Sequence, residues 1–477
     1  MATYRSPGVY VEEIASFPPS IAEVESAVPA FVGYTQKADS LAPNDLRKVA
    51  TPITSWSEYL TYFGGPQPED PANVTIAVDE QRTGATTTGF KVAVTIATAN
   101  LRKHIFYHAV KHFFANGGGR CYIVSVGGYD ADISKDDLDA GLDLVALEDT
   151  PTILVVPEAV HLGADAFTAI NNKMISQAAS LKDRFAVLDT QKTTVPKTPS
   201  SITDDVKGTI ENIPVGDATR YAAVYYPWLR TAYSYEFDFD NLTLSDHKIN
   251  GADAAGADNK EGLLSALKGS ALYNAIKAET LKYTLTLPPS AAIAGVYART
   301  DRDRGVWKAP ANIGLIDVVK PLVTISRQDH DLLNINTTSG KSVNAILNVP
   351  GFGSVVMGGR TLDGNSNDWK YINVRRFFSV VEESIKKSIN WVVFEPNTAG
   401  TWTKVQAMIE NYLFLKFREG ALAGATPEQA YQVNVGLGKT MNSVDILEGR
   451  MIVEVKMAVA RPAEFIVLQF VQIMQTA

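Results

Sequence analysis

Residues 101–126 read Leu-Arg-Lys-His-Ile-Phe-Tyr-His-Ala-Val-Lys-His-Phe-Phe-Ala-Asn-Gly-Gly-Gly-Arg-Cys-Tyr-Ile-Val-Ser-Val. The stretch Leu101–Asn116 predicts a helix, and Gly117-Gly118-Gly119 stops it, since glycine is favoured just past a helix C-terminus. Cys121–Val126 is a nearly continuous apolar run, as expected of a strand covered on both faces. A helix feeding such a strand is one repeat of an α/β layer.

The repeat continues downstream. Ser134–Leu147 predicts a helix with Asp136 and Asp137 early, where the helix dipole favours negative charge. Ile153–Val156 predicts a strand ending at Pro157, Phe167–Leu181 a helix, and Phe185–Asp189 and Tyr221–Tyr226 strands. Such alternation, sustained from Leu101 to about Ser354, implies α/β with a largely parallel sheet. Upstream, Val28–Tyr34 reads as the first core strand and Ser55–Phe63 as a short helix ended by Gly64-Gly65-Pro66. Residues 66–100 alternate apolar with polar over Val74–Val78 and Phe90–Ala97, which fits an inserted hairpin. Residues 190–215 and 238–260 read as polar loops.

From about Arg360 the character changes. A helix over Val374–Val392, a second over Trp402–Arg418, and strand-like runs holding Val433, Val435, Ile452, Val453 and Val455 make a separate α+β unit. The expected organisation is an arm at 1–24, an α/β region at 25–359 with the β-rich insertion at about 66–100, and a C-terminal domain at 360–477. The two ends carry strand-like segments, Ser6–Ile14, cut off by Pro18-Pro19, and Phe465–Met474. Isolated terminal strands are poor core material but suit pairing with a neighbour's sheet edge. Repeated head to tail, such contacts build open helical assemblies.

Composition narrows the function. The 477 residues carry a net charge of −8, which argues against a general nucleic-acid binder. No apolar run reaches the roughly 18 residues of a membrane span, and the N-terminus lacks a charged-then-apolar secretory pattern. The single Cys121 excludes an intrachain disulfide and fits a reducing compartment. Assembly in the cytoplasm is expected, with later release by lysis.

Catalytic signals are weak. His104, His108 and His112 fall on one helical stripe, but the outer two are roughly 12 Å apart by helical rise. A solvated or interface stripe fits better than a metal site. Gly117-Gly118-Gly119-Arg120 follows a helix and precedes a strand, the reverse of a phosphate-binding loop. Asp79 and Glu80 offer carboxylates, and Asp301-Arg302-Asp303-Arg304 reads as local ion pairs in a loop. His161, His330 and Asp189 are the material for a hydrolase triad, yet no GxSxG elbow accompanies them. No catalytic, metal or cofactor site is expected.

The helix over Val374–Val392 places Val374, Phe377, Phe378, Val380, Val381, Ile385, Ile389 and Trp391 on one side. Arg375, Arg376, Glu382, Glu383, Lys386 and Lys387 fall on the other. Glu382 with Lys386 and Glu383 with Lys387 are i, i+4 pairs in the favourable order. The face is either ordinary solvated surface or a charged docking face.

Several stretches resemble one family. Ser6-Pro7-Gly8-Val9-Tyr10-Val11-Glu12-Glu13 with Ala27–Tyr34 resembles the N-terminus of contractile tail sheath proteins. Pro288-Pro289-Ser290, Ala294–Asp301 and Arg304–Asn312 resemble their central signature. Asn373–Arg376, Glu382–Lys387, Trp391–Asn397 and Pro462–Ile466 resemble their C-terminal domain. The resemblance implies a subtilisin-like α/β middle region that is no protease, and subunits stacked as rings or helical strands around an inner tube. It implies terminal arms that add strands to a neighbour's C-terminal sheet, here Val9, Tyr10, Val11, Phe465, Val467 and Phe470. It also implies a tube-facing helix, here Glu382, Glu383, Lys386 and Lys387. Implied partners are further copies, the tube protein, and baseplate and terminal cap proteins, with no direct nucleic-acid or membrane contact. Contraction from a metastable extended state needs no cofactor. The N-terminal match lies nearer to phage-tail-like injection particles than to phage tails. Two other classes remain: a capping or adaptor paralogue, and an α/β hydrolase with a triad drawn from distant residues.

Overall fold

A computed structural model describes residues 20–97, 101–198, 200–336 and 339–465. They form two compact units, one of residues 25–379 with 461–465, the other of residues 20–24 with 380–460. The division falls within the helix Ile372–Ser388, at 379/380 rather than at the expected 359/360.

The larger unit is built on a nine-stranded sheet. Six strands are parallel: in order across the sheet, Val343–Val349, Ala222–Tyr226, Phe185–Asp189, Ile153–Val155, Pro29–Tyr34 and Cys121–Gly127. Short antiparallel strands close both edges. Successive residues of the first strand point to opposite faces. Phe31 joins the core under the helices Trp56–Phe63, Phe106–Ala115 and Ser290–Arg304. Val32 joins the core under Lys135–Ala146 and Ala164–Leu181. Burial on both faces is why these strands read as apolar runs.

Local signals set most boundaries. Ser55 and Ser134 cap the helices Trp56–Phe63 and Lys135–Ala146 through their hydroxyls. Gly64 ends the first of these at φ +82, in the left-handed region. The helix expected from Leu101 starts at Phe106 instead; upstream, the Arg102 N–H is given to the Glu69 carboxylate.

The insertion is a hairpin, Val74–Thr83 with Thr86–Ile96. The expected loop at 238–260 is corrected: Thr243–Ile249 is a strand running parallel to Val74–Thr83. The expected loop at 190–215 holds a helix, Ser201–Ile210, burying Ile202, Val206 and Ile210 four residues apart.

In the smaller unit, the helix Ala399–Arg418 buries Val405, Met408, Ile409, Tyr412 and Leu413, the i, i+3, i+4, i+7, i+8 stripe of an amphipathic helix. It packs on the strand Tyr431–Val435, which pairs antiparallel with Val453–Met457, Val433 opposite Val455.

Candidate functional site

In open α/β sheets ligands bind where the strand order reverses. Here that point lies between Pro29–Tyr34 and Ile153–Val155. Glu158 fills it. The carboxylate accepts Tyr34 N–H at 2.8 Å and Phe106 N–H at 3.4 Å, with His104 Nδ1 at 3.5 Å. Burial pushes the Glu158 carboxyl up, and His104 and the two backbone donors pull it back. A Cβ on Gly33 would lie 2.1 Å from Phe106 and 2.8 Å from Glu158. The crevice is thus closed by this chain's own side chains.

The other hydrolase candidates are also committed. Asp189 accepts Ser290 N–H at 2.8 Å and Ser290 Oγ–H at 2.5 Å, holding the start of the helix Ser290–Arg304. Burial raises its pKa to about 7. His161 meets the Trp228 ring edge-on, and His330 hydrogen-bonds the Met357 carbonyl. Among the described residues neither histidine shares a hydrogen bond with Asp189.

The histidine stripe is not solvated. His104 precedes the helix, while His108 and His112 are buried. His112 donates Nε2–H to the Ile316 carbonyl at 3.0 Å, and His108 stacks on Tyr233. The helix is covered on this side as well as on its Phe106–Phe113 side. Desolvation holds both imidazoles down at about 4. Among the described residues no cluster of His, Cys, Asp and Glu could hold a metal ion.

The charged face expected on the helix Ile372–Ser388 divides. Arg375 and Arg376 are buried. Arg375 lies over the Trp369 and Tyr221 rings, and Arg376 pairs with Asp301 at 2.6 Å. Asp301 therefore serves a long-range ion pair from within a helix, not a local one in a loop. Aromatic faces and a buried carboxylate from distant segments make burial of these guanidinium groups tolerable. Further along, Glu382, Lys386 and Lys387 are exposed, and buried Glu383 receives Lys386 at 3.2 Å and Lys387 at 3.4 Å.

The root of the N-terminal arm is held twice. In the smaller unit, Ala22 and Val24 donate their N–H groups to Ser388 and Ser384 hydroxyls, and Glu23 pairs with Lys416 at 2.5 Å. In the larger unit, Ser26 donates to Asp301, and its carbonyl accepts from Arg376. Sequence reasoning missed these partners. The visible signal was Ser384 and Ser388, one turn apart on an otherwise charged stretch. Val9, Tyr10, Val11, Val467 and Phe470 lie outside the described residues; Phe465 is exposed and sits in no strand.

The pair Tyr431–Val435 and Val453–Met457 stands as a two-stranded sheet among the described residues. Such a pair is marginal alone, and each strand keeps an outer edge able to template another. A groove of about 460 Å³ follows Tyr431–Val435, walled by Gln406 and Glu410 of the long helix and by Glu428, Tyr431, Asn434 and Lys439.

Residues 365–473 match the phage tail sheath C-terminal domain. Over 237 residues, 47% of this chain, the sequence is 27% identical to the tail sheath protein of Enterobacteria phage T4. That match spans about a third, 33%, of the T4 protein. Across 99% of this chain and 100% of the other, it is 30% identical, TM-score 0.63, to a chain in the anti-feeding prophage (AFP) baseplate. It is 29% identical, TM-score 0.63, to a chain of the contracted sheath complex of the extracellular contractile injection system PVC, covering 99% of each. A chain of the contracted AFP helical sheath is 29% identical at TM-score 0.62, over 98% of this chain and 100% of that one.

Proposed function

The chain belongs to the contractile tail sheath proteins, and we propose that it polymerises helically around an inner tube and contracts to drive that tube through a target envelope. The observation that carries this reading is the two-stranded sheet Tyr431–Val435 with Val453–Met457. Its edges and the groove beside it suit strands supplied by neighbouring copies, from around Val9, Tyr10 and Val11 at one end and Phe465, Val467 and Phe470 at the other. Main-chain hydrogen bonds would give such a mesh its affinity.

The remaining assignments follow the same reading. Glu382, Glu383, Lys386 and Lys387 face the tube. The middle region is of the subtilisin-like kind without its chemistry, a view supported by Glu158 and Asp189, both occupied in holding backbone and helix start. Partners are further copies, the tube protein, and baseplate and cap proteins. Assembly is cytoplasmic, in an extended state kept by a kinetic barrier, and the two states are rigid-body arrangements of one fold. One specific observation favours a second reading: the 30% identical relative is a chain of a baseplate structure, so a sheath-like capping or adaptor subunit is the alternative.

Negative-stain electron microscopy of the chain expressed with and without its tube partner, before and after acid or denaturant shock, separates these. Long striated cylinders that shorten and widen are expected. Discrete monomers or single closed rings under every condition would overturn the sheath reading and favour the adaptor.

A further inference from the structure

Arg360 is a socket without an evident role in the larger unit's core. Its backbone is fixed by Asn344, whose Oδ1 accepts Arg360 N–H at 2.8 Å and whose Nδ2 donates to Arg360 O at 2.8 Å. Asn344 is itself buried and also donates to Val224 O of the main sheet. The surrounding chain is packed to contact. A Cβ on Gly358 would lie 2.6 Å from Asn344 Oδ1, and one on Gly364 would lie 2.7 Å from Ser342 Cβ. The guanidinium is thus held on a rigid base, with its residue only 4% exposed.

That guanidinium grips the C-terminal segment. Nε donates to Glu464 Oε1 at 2.9 Å and Nη2 to Oε2 at 2.5 Å, while Nη1 reaches Gly364 O at 3.4 Å. Tyr371 O–H adds a long contact to Glu464 Oε2 at 3.4 Å. A two-pronged guanidinium–carboxylate pair fixes direction as well as distance, and its charge-assisted bonds are roughly twice as strong as neutral ones. The Glu464 hydrogen bond, ahead of burial, accounts for the raised pKa of Arg360. The next residue, Phe465, is 75% exposed.

We propose that Arg360 is a mooring residue: through Glu464 it fixes the point at which the C-terminal tail leaves its own subunit, so that pull on the tail is delivered to the sheet of the larger unit. This rests on the sheath reading, in which the tail from Phe465 onward pairs with a second copy. In that reading the mooring sets where the exchanged strand begins. If Glu464 lets go, slack enters the tail and the partner strand is no longer pulled in register as copies rotate apart. Arg360 acts here through Glu464 and touches no partner itself.

A nitroxide on Ala463→Cys tests the mooring in the unpolymerised full chain, because the native Cys121 is buried and its thiol pushed up well above the ordinary value. Glu464→Ala is expected to speed label motion about tenfold, the scale of a lost charge-assisted pair, measured well below the melting temperature, which the unpaired Arg360 guanidinium will lower. The exchange Arg360→Glu with Glu464→Arg is expected to restore slow motion. In sheaths assembled on the tube, Glu464→Ala is expected to give fragments on contraction where the parent chain stays continuous. A label as immobile in Glu464→Ala as in the parent overturns the mooring. So does a loosened label in sheaths that contract unbroken. Failure of the parent chain to form cylinders would instead count against the sheath reading and leave the label result to judge the mooring by itself.

Discussion

Asp301 and Arg376 form a doubly hydrogen-bonded ion pair inside the larger unit, Oδ2 to Nη2 at 2.6 Å and Oδ1 to Nη1 at 3.0 Å. Ser26 closes it from the arm side, and the Tyr297 ring lies 4.6 Å from the guanidinium. Removing one partner strands the other charge in a low-dielectric site, which typically costs about 3–5 kcal/mol. Arg376→Met should therefore lower the subunit's urea midpoint sharply. Adding Asp301→Asn should recover part of the loss, since no uncompensated charge is left. A double variant as unstable as the two single losses summed would mean the pair is not the cause.

Gly33 sits at the strand-order reversal because nothing larger fits. With its Cβ 2.1 Å from the Phe106 ring and 2.8 Å from Glu158, Gly33→Ala must displace the start of the helix Phe106–Ala115 or break the Glu158 contact with Tyr34 N–H. Overpacking of this kind costs about 1–3 kcal/mol. Differential scanning calorimetry should show a lower melting temperature. Pairing Gly33→Ala with Phe106→Leu should give some of it back, by freeing the colliding ring atoms.

Buried histidines make stability fall in acid. His108 and His112 have pKa values depressed from 6.5 to about 4 by desolvation. The folded state binds fewer protons than the unfolded one in that window. Their contribution is therefore fully present above pH 6.5 and is lost as pH falls toward 4. Asp189 runs the other way. Raised from 3.8 to about 7, it contributes stability at low pH that is lost as pH rises through that range. His112→Gln keeps an N–H for Ile316 O and should flatten the acid limb. Asp189→Asn should flatten the opposing slope. Unfolding midpoints between pH 4 and 8 report both, and a His112→Gln profile parallel to the parent's would exclude His112 as a source.

The strands of the main sheet were legible because burial on two faces leaves little room for polar residues, as in Phe185–Asp189 and Cys121–Val126. The helix Trp56–Phe63 was legible from the Gly64-Gly65-Pro66 that ends it and Lys135–Ala146 from the early Asp136 and Asp137, while the Ser55 and Ser134 hydroxyls that cap them emerged only in the structure. Thr243–Ile249 was not, since Thr-Leu-Ser-Asp-His-Lys-Ile carries little apolar pattern. Its place is set by parallel backbone pairing, and His247 is buried there because it meets Glu80 at 3.3 Å. Periodicity put Arg375 and Arg376 on the same face as Lys386 and Lys387. What separates them is Asp301, Tyr297 and Trp369, which sequence spacing could not bring near. The Arg360–Glu464 pair was invisible for the same reason.

Lys386 and Lys387 are the exposed cations of the helix Ile372–Ser388, with side chains 70% and 39% exposed, and both lean on Glu383. The Glu383 carboxylate they share is buried, so reversing the lysines also costs subunit stability, and urea unfolding of the isolated subunit separates that loss from the tube contact. Reversing both charges removes two cations from the face assigned to the tube. Lys386→Glu with Lys387→Glu should weaken co-purification of sheath with tube and make what remains less sensitive to salt. Undiminished co-purification at physiological salt would take the tube contact away from these lysines.

Deleting residues 1–20 separates folding from assembly. The first hydrogen bonds of the described arm are made by Ala22 and Val24, and the first core strand starts at Pro29. The truncated subunit therefore retains the Glu23–Lys416 pair and the Ser26 clamp on Asp301 and Arg376. Its thermal unfolding should match the full chain within about 2 °C, a change worth about 2 kcal/mol or less in a chain of this size. What it lacks is the segment around Val9, Tyr10 and Val11 that would occupy a neighbour's sheet edge. Polymers built without that strand should be short and should fall apart on contraction, because under the proposed rigid-body rearrangement only face-to-face contacts would be left to hold the copies together. Long, continuous cylinders from the truncated chain, counted by electron microscopy, would sink the strand-exchange mesh while leaving the sheath assignment in place.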